Sequence, residues 1–527
     1  MAYTGIKAKI PLGDIGLLTD VSPDRLPAGA LIKARNVCFF NGNVQKAPGS
    51  IRWNSATAVS SGIVAIHHWK PTQDVERFIA VTDDGNIYKG KDRTFGSAIN
   101  STIAATLTPN CMFVAGGSET SIRNKKLFLF TEGRTNVQVL SGDGTAFGTI
   151  ATPSTDWTSS VTYPQFGFIH RTRLWAFVGQ RSYASNSSNH EDFVTSSLTD
   201  AVYPGEGGNL SGGFVFKGRA VVFKRGGFVY MLNDLDVSTA NWYWQKISSN
   251  LGLSAPNAIV EALDDLLVGN VAGTITSYAA SEKLGSVEAS DIIQGIGFES
   301  HLRSETNRNG LDTQHMLYYP EKKILFVTYR SGYQVDNDML LQIDFGRTGA
   351  PRAAYWNKGK PNCLALYQDT NKIDRPMYGD ADGYLNLMDR ETRTEGTASY
   401  TGEFQLSHTD FSYLDANLSS VEKHFDHLSV QYVPEGAGNL SCDYFIDGRY
   451  MDTVTFPMVQ YSRPQLGTFT LGTDRFAQYH TELATRRIAG TGRTFSAQFS
   501  NAGQNQSFQV SNIIVSFRPG GDKAEQV

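Results

Sequence analysis

At 527 residues the chain is too long for one hydrophobic core, so two or three domains are expected. Apolar residues make up 40% and charged residues 19%, which excludes a disordered chain. The formal net charge of −4 gives no basis for a general nucleic-acid or anionic-membrane binder.

The 51 glycines, 30 phenylalanines and 23 tyrosines, without long Leu/Ala/Glu/Lys windows, point to short strands and tight turns. No apolar core of signal-peptide length follows Met1, and no stretch approaches the roughly 18 apolar residues of a membrane span. The expectation is a chain folded in a reducing cytoplasm with no direct membrane anchor. Cys38, Cys111, Cys363 and Cys442 fit this, because they share no C-x-x-C spacing and lie in or beside apolar runs, as buried reduced thiols do.

Residues 1–60 read as an N-terminal arm and hairpin. Pro23 and Pro27 exclude a regular helix or central strand between Ser22 and Leu31. Pro27 can open a short helix running to Ala34, with Ser22 or Asp24 near its start. Asn36–Phe40, the turn Asn41-Gly42-Asn43 and Val44–Lys46 then read as a hairpin, since Asn-Gly supports the positive φ of a two-residue turn.

From Ile63 to Met388 one β-unit recurs. Its apolar runs are Arg77–Val81, Leu127–Phe130, Leu174–Val178, Ala220–Phe223, Leu266–Gly269, Ile324–Val327 and Pro376–Gly379, with gaps of about 49, 47, 46, 46, 58 and 53 residues. That is the period of a four-stranded propeller blade. Turns such as Asp83-Asp84-Gly85-Asn86, Lys224–Gly227 and Asp380-Ala381-Asp382-Gly383 separate the strands. The longer fifth gap holds a polar stretch, Ser300–Gly310, read as an inserted loop. The fold class is therefore all-β: a β-propeller of six or seven blades over 61–395, a C-terminal β-sandwich-like domain over 396–518 and a flexible tail over 519–527. The charged segment Asp389–Gly396 marks the domain boundary. Strands at Phe425–Tyr432, Leu440–Ile446, Phe495–Phe499 and Phe508–Phe517 build the sandwich.

Motifs of chemistry are missing from the sequence. It holds no phosphate loop, no dinucleotide glycine fingerprint, no H-E-x-x-H and no G-x-S-x-G elbow. No catalytic, cofactor-binding or metal-binding residue is assigned, and no cofactor is expected. Adjacent strand residues face opposite ways, so His67 and His68 cannot chelate one ion together, and the three-residue spacing of His424 and His427 also sets them on opposite faces. Asp380-Ala381-Asp382-Gly383 resembles the start of a calcium loop, with Tyr384 where an oxygen ligand belongs and Glu391 at the acidic position. A plain Asp-Gly turn is the simpler reading, and Asp336-Asn337-Asp338 is a polar loop tip. Trp242-Tyr243-Trp244 is either a buried blade strand or a sugar platform. The basic pairs Lys125-Lys126, Lys224-Arg225, Lys322-Lys323 and Arg486-Arg487 are too scattered to form a stripe.

Several segments, in order, resemble a known family. They are Gly13–Asp20, Leu26–Leu31, Ala34–Val37 and Val44–Gly49; Arg171–Trp175 with Tyr183–Asn186 and His190–Phe193; Phe216–Arg225; and Gly490–Arg493 with Ile513–Gly521. This series is similar to the tail-tube nozzle or hub proteins of short-tailed (podovirus-type) bacteriophages. Residues 240–480 carry no matching segment. The resemblance implies a structural virion protein in the tail and not an enzyme. It implies a homohexameric ring that extends the DNA channel below the portal and supports DNA retention and ejection. Implied partners are an adaptor or head-to-tail connector, tail fibres or spikes, and internal or plug proteins. Genomic DNA would pass transiently without sequence-specific binding. The alternative is a propeller enzyme that degrades host-surface glycans, using paired carboxylates such as Asp264-Asp265, or a glycan-binding adhesion module. The Ser-x-Asp-x-Gly-x-x-Trp repeat of sialidases is absent.

Overall fold

The computed structural model describes residues 5–40, 42–54, 58–72, 75–100, 103, 106–116, 125–278, 297–346, 351–390, 392–433, 438–458 and 481–520. Asn41, Glu391 and the tail from Gly521 onward lie outside them.

Seven β-meanders follow one another from Ile63 to Arg390. The innermost strand of each touches the next, and the strand Pro361–Gln368 of the seventh returns to Ile63–Thr72 of the first. The ring is therefore closed, and the blade number is seven. Each recurring apolar run falls on the second strand of a blade: Val75–Thr82, Lys126–Phe130, Arg173–Val178, Arg219–Lys224, Asp265–Gly269, Ile324–Tyr329 and Asp374–Asp380. The reason is burial. A second strand has sheet neighbours on both edges and a blade against each face, so Ile324–Tyr329 is buried at every residue and both faces must be apolar. Blade 5 has three strands among the described residues.

The N-terminal arm is distributed between the two halves of the molecule. It supplies β1 (Ile6–Pro11), β2 (Leu31–Arg35), β3 (Val37–Phe40), β4 (Asn43–Lys46) and β5 (Gly49–Arg52). The expected hairpin is β3–β4, paired from Val37↔Lys46 to Phe40↔Asn43. The helix expected from Pro27 to Ala34 does not form. Leu31–Arg35 is strand β2 because Leu406, Gln405, Phe404 and Glu403 offer it an antiparallel ladder, and that tertiary pairing overrides the local preference. Only Pro23–Arg25 makes a single helical turn.

β5 is the outer strand of blade 7 (Leu387↔Ile51, Asn386↔Arg52), so the propeller is closed by a strand from the far end of the chain. β2 also pairs with the outer strand of blade 6, Arg352–Trp356. Through β2, that blade continues into Gly402–Leu406, Phe495–Asn501, Asn439–Ile446 and Arg449–Pro457. A second sheet runs β3, β4, Gln509–Pro519, Lys423–Val433, Glu482–Gly492, with β1 alongside Gln509–Pro519. The two sheets enclose Phe404, Phe425, Phe495, Phe499, Phe508 and Phe517, all in one core.

The polar stretch Ser300–Gly310 is not only loop. It contains a helix, Glu299–Glu305, whose first amides donate to Asp20 of the arm (Glu299 N to Oδ2 3.0 Å, Ser300 N to Oδ1 2.6 Å). A carboxylate there satisfies otherwise orphaned donors at a helix start.

Candidate functional site

Three polar assemblies stand out: one on the propeller axis, one between blades and one at the seam with the sandwich. On the axis a cavity of about 160 Å3 is lined by residues of blades 1, 2 and 7 and by Asn257 and His315. His315 precedes the first strand of blade 6. Its Nε2 lies 2.9 Å from the Pro109 carbonyl oxygen, and its Nδ1 accepts the Leu364 N–H at 3.3 Å. The ring is thus the neutral Nε2–H tautomer, spanning three blades. Asn257 Nδ2 donates to the carbonyls of Pro109 (2.8 Å) and Cys111 (3.1 Å). Burial pushes both His67 and His315 down to about 4. The cavity has room for roughly five waters at liquid density. It is too small for any polymer.

Between blades 3 and 4, His170 Nε2 is 2.7 Å and Arg171 Nε 2.6 Å from one oxygen of Asp234. Burial alone would raise that carboxyl. The bonds from Arg171 and His170 outweigh it and hold Asp234 below its ordinary range. Between blades 2 and 3, Glu191 bonds Lys126 and accepts the Ala151 N–H (3.2 Å). Buried Arg173 donates to the carbonyls of Ser185 (2.5 Å) and Ser196 (2.8 Å). From the segment Arg171–Phe193, Arg171 and Glu191 thus act as joints between blades, while Arg173 braces blade 3 from within.

The seam between blade 7, the arm and the sandwich is a buried charge network. Lys358 Nζ lies 3.2 Å from Glu395 Oε2, and both side chains are nearly enclosed. Ser50 and Tyr378 donate their hydroxyls to the same carboxylate. Lys358 also donates to the Pro48 carbonyl and stands over the rings of Trp356 and Tyr400. Lys46, fully buried, donates to Asn501 Oδ1 and the Gly503 carbonyl, each at 3.1 Å. Burial pushes its ammonium down to about 8. Its donors are committed to fixed oxygens, which makes it a tie between arm and sandwich. Similar buried lysines tie loops elsewhere: Lys224 to the carbonyls of Tyr203 and Glu206, Lys423 to those of Leu418, Val421 and Arg493. No motif marks Lys46, Lys358, Glu395, Asn257 or His315 in the sequence, because their partners are distant in the chain.

The residues weighed for chemistry are dispersed. His67 faces the axial cavity, while His68 contacts Glu76 and accepts the Gln368 N–H at 3.0 Å. His424 and His427 do not face opposite ways. The strand bulges between Phe425 and His427, which adds a residue and turns both imidazoles to solvent. Asp380 is buried, with Oδ1 accepting the amides of Asp382 (3.0 Å) and Tyr384 (2.7 Å) and Oδ2 accepting Asn386 Nδ2 (2.7 Å). Its oxygens are used up by the turn. Asn337 is a buried connector that donates to the Thr313 and Asn362 carbonyls. Trp244 is buried with Nε1 bonded to Ser182 Oγ (2.9 Å), Trp242 bonds the Asp236 carbonyl, and exposed Tyr243 accepts from Asn233. These rings form no common platform. Leu263 and Asp264 occupy the two positive-φ positions (53° and 64°) of a hairpin turn, which accounts for Asp264-Asp265. Of the basic pairs, Lys126, Lys224 and Lys322 are tied into local contacts, Lys322 to Asp389 at 2.6 Å, and Arg486 donates to the Thr455 carbonyl at 2.8 Å. The four cysteines are buried free thiols. Among the described residues, no three His, Cys, Asp or Glu side chains cluster as a metal site, and no helix is long and apolar enough to cross a membrane.

No family model and no curated protein matches the chain. Solved structures similar to it include YCF48 from Cyanidioschyzon merolae (9% identity, 65% of this chain and 98% of that one, TM-score 0.41). BBS1N in complex with ARL6DN gives 10% identity, 65% and 98% coverage and a TM-score of 0.39. The WD40 β-propeller domain of Doa1 gives 7% identity, 65% and 97% coverage and a TM-score of 0.39. At these scores the likenesses carry no functional weight, and the propeller is identified by its own closed ring of seven sheets.

Proposed function

We propose that the protein is a structural component of a short phage tail, a ring-forming nozzle or hub without enzymatic activity that continues a DNA passage below a connector and supports genome retention and ejection. One observation carries this reading: the ordered sequence segments similar to such proteins lie on the joints of the molecule. Val44–Gly49 runs from the sandwich into the closing strand β5. Arg171–Phe193 supplies the blade 2–3 tie of Glu191 to Lys126 and the blade 3–4 tie of Arg171 to Asp234. Ile513–Pro519 pairs with β1 and Lys423–Val433. A wall that holds pressurised DNA needs such joints, because each blade must transmit load to the next. The cavity beside the axis has a volume of only about 160 Å3, so in this reading the passage runs between copies, and the propeller is the wall.

Mass photometry and negative-stain microscopy of the purified chain, alone and with a connector-bearing particle, test the proposal. A closed ring on the connector is the expected result. A chain that stays monomeric and never joins such a particle overturns it. Hydrolysis of host-surface glycans, abolished by replacing one carboxylate, would put a propeller enzyme in its place.

A further inference from the structure

Strand register places a set of cations on one solvent-facing sheet surface of a chain that is acidic overall. In the second sandwich sheet the inward residues are core: Ala8, Ile10, Leu428, Ile513, Val515 and Phe517. The outward residues line up across four strands. Arg487 faces His427, which faces Ser516, which faces Lys7; beside this row Thr491 faces His424, which faces Arg518, and Ile514 faces Lys9. Lys7, Lys9, His424, His427, Arg487 and Arg518 are all exposed. Among the described residues, the acid on this face is Asp426, already 3.0 Å from Arg518 Nε, and Glu422 stands at the rim. Four fixed cations and Asp426 give the face +3, which leaves −7 on the rest of a chain of net −4. The bulge at Asp426 creates this face, because without it His424 and His427 could not share it.

The acids have their own location. The turns between second and third strands all lie at one end of a propeller. On three consecutive blades, 6, 7 and 1, they carry Asp336 and Asp338, Asp380 and Asp382, and Asp83 and Asp84. The blade 7 and blade 1 turns share one neighbour, the segment Ser60–Gly62: Gly62 lies against Ala381 and Ser61 against Gly383, while Asp83 N donates to the Gly62 carbonyl (2.9 Å) and Ser60 Oγ to Asp84 Oδ2 (2.5 Å). Asp84, Asp336 and Asp382 are exposed, and Lys360 (3.2 Å from Asp382) is a cation among them.

We infer that the basic sheet face docks on the acidic turn end of the propeller in a second copy of this chain. The inference rests on the ring reading above and names its contact. A patch that meets a different patch on its neighbour makes a head-to-tail interface, and such an interface closes into a ring when the rotation allows. Complementary potentials also fix the register of the two copies and steer their encounter. The same charges exclude this face from the passage, since fixed cations in contact with many phosphates would hold DNA in place.

The test is a charge swap on the full chain, read by mass photometry with and without the connector particle. Lys9→Glu with Arg487→Glu should raise the concentration for half-assembly at least ~tenfold. Adding Asp336→Lys and Asp382→Lys should restore assembly, and thermal melts of all variants should match wild type. A ring that forms unchanged in the Lys9→Glu/Arg487→Glu variant overturns the contact and leaves the ring reading intact. A wild-type chain that never assembles overturns both. Binding of the wild type to labelled duplex DNA at ~150 mM salt, lost in that variant while assembly persists, assigns the face to phosphate backbone and overturns the contact.

Discussion

The propeller and the sandwich are both antiparallel β, but the chain builds them differently. Within a blade, apart from β5 at the edge of blade 7, paired strands are neighbours in sequence, as in Phe214↔Val221 and Leu325↔Ile343. In the sandwich the central pairings join the ends of the chain: Ile10↔Ile513, Val44↔Val510, Leu31↔Leu406. Local pairings cost little loop-closure entropy, whereas these must be assembled after most of the chain exists. Among the described residues, the arm alone contributes strands to both halves. β1–β4 complete the sandwich, β5 completes blade 7, and only two residues, Ala47 and Pro48, separate β4 from β5. A propeller closed by a strand from its own N-terminal arm resists unzipping from either end of the ring of blades.

The sharpest way to break this arrangement is truncation before Trp53. It removes the outer strand of blade 7 and four sandwich strands together. The expected outcome is loss of cooperative unfolding in both halves, seen by calorimetry and by protection from limited proteolysis. Retention of a native-like melt would show that the halves are independent.

Glu395→Ala is next. It strands the Lys358 ammonium in the seam and removes the acceptor of Ser50 and Tyr378, and breaking a buried pair in this way costs about 3–5 kcal/mol. Urea titration measures the loss, and hydrogen exchange should place it at blade 7 and the arm ahead of blades 2–4.

Acid comes third. The His315 pKa is depressed from its ordinary value of 6.5 to about 4 in the fold, so the unfolded chain binds its proton first. The neutral ring's stabilisation is complete above pH 6.5 and is lost as the pH falls through 4. A shift of that size corresponds to about 3 kcal/mol. His67, depressed to about 4 by burial and by the neighbouring His68, adds a parallel loss over the same pH range. Stability measured from pH 7 to 4 should fall more steeply for wild type than for His315→Gln. Equal slopes would remove the axial imidazole from the account.

The smallest effect is expected at Lys360→Ala. Its pair with Asp382 is more than half exposed on both sides, so the stability change should be under ~1 kcal/mol by urea titration. The contrast with Glu395→Ala separates seam from surface.

Local order was legible where burial imposes a pattern. Ala220–Phe223 and Ile324–Val327 are apolar because blades cover both faces, so the period could be read without any partner. The β3–β4 hairpin was legible for the same reason, since its pairing is local. β2 was not: Pro27 suggests a helix start, and only the Gly402–Leu406 edge makes Leu31–Arg35 a strand. The sidedness of His424 and His427 was also hidden, because one bulged residue reverses the alternation. The seam was hidden altogether, since Ser50, Lys358, Tyr378 and Glu395 carry no spacing signal.

By itself, then, the sequence determined the repeating unit, its length and its all-β character, because those follow from which residues must avoid water within one short stretch of chain. Tertiary structure alone decided that there are seven blades, that the N-terminal arm closes them and completes the sandwich, and that scattered cations share one sheet face. These depend on which distant backbone edges find each other, and hydrogen-bond pairing across hundreds of residues leaves no local pattern to read.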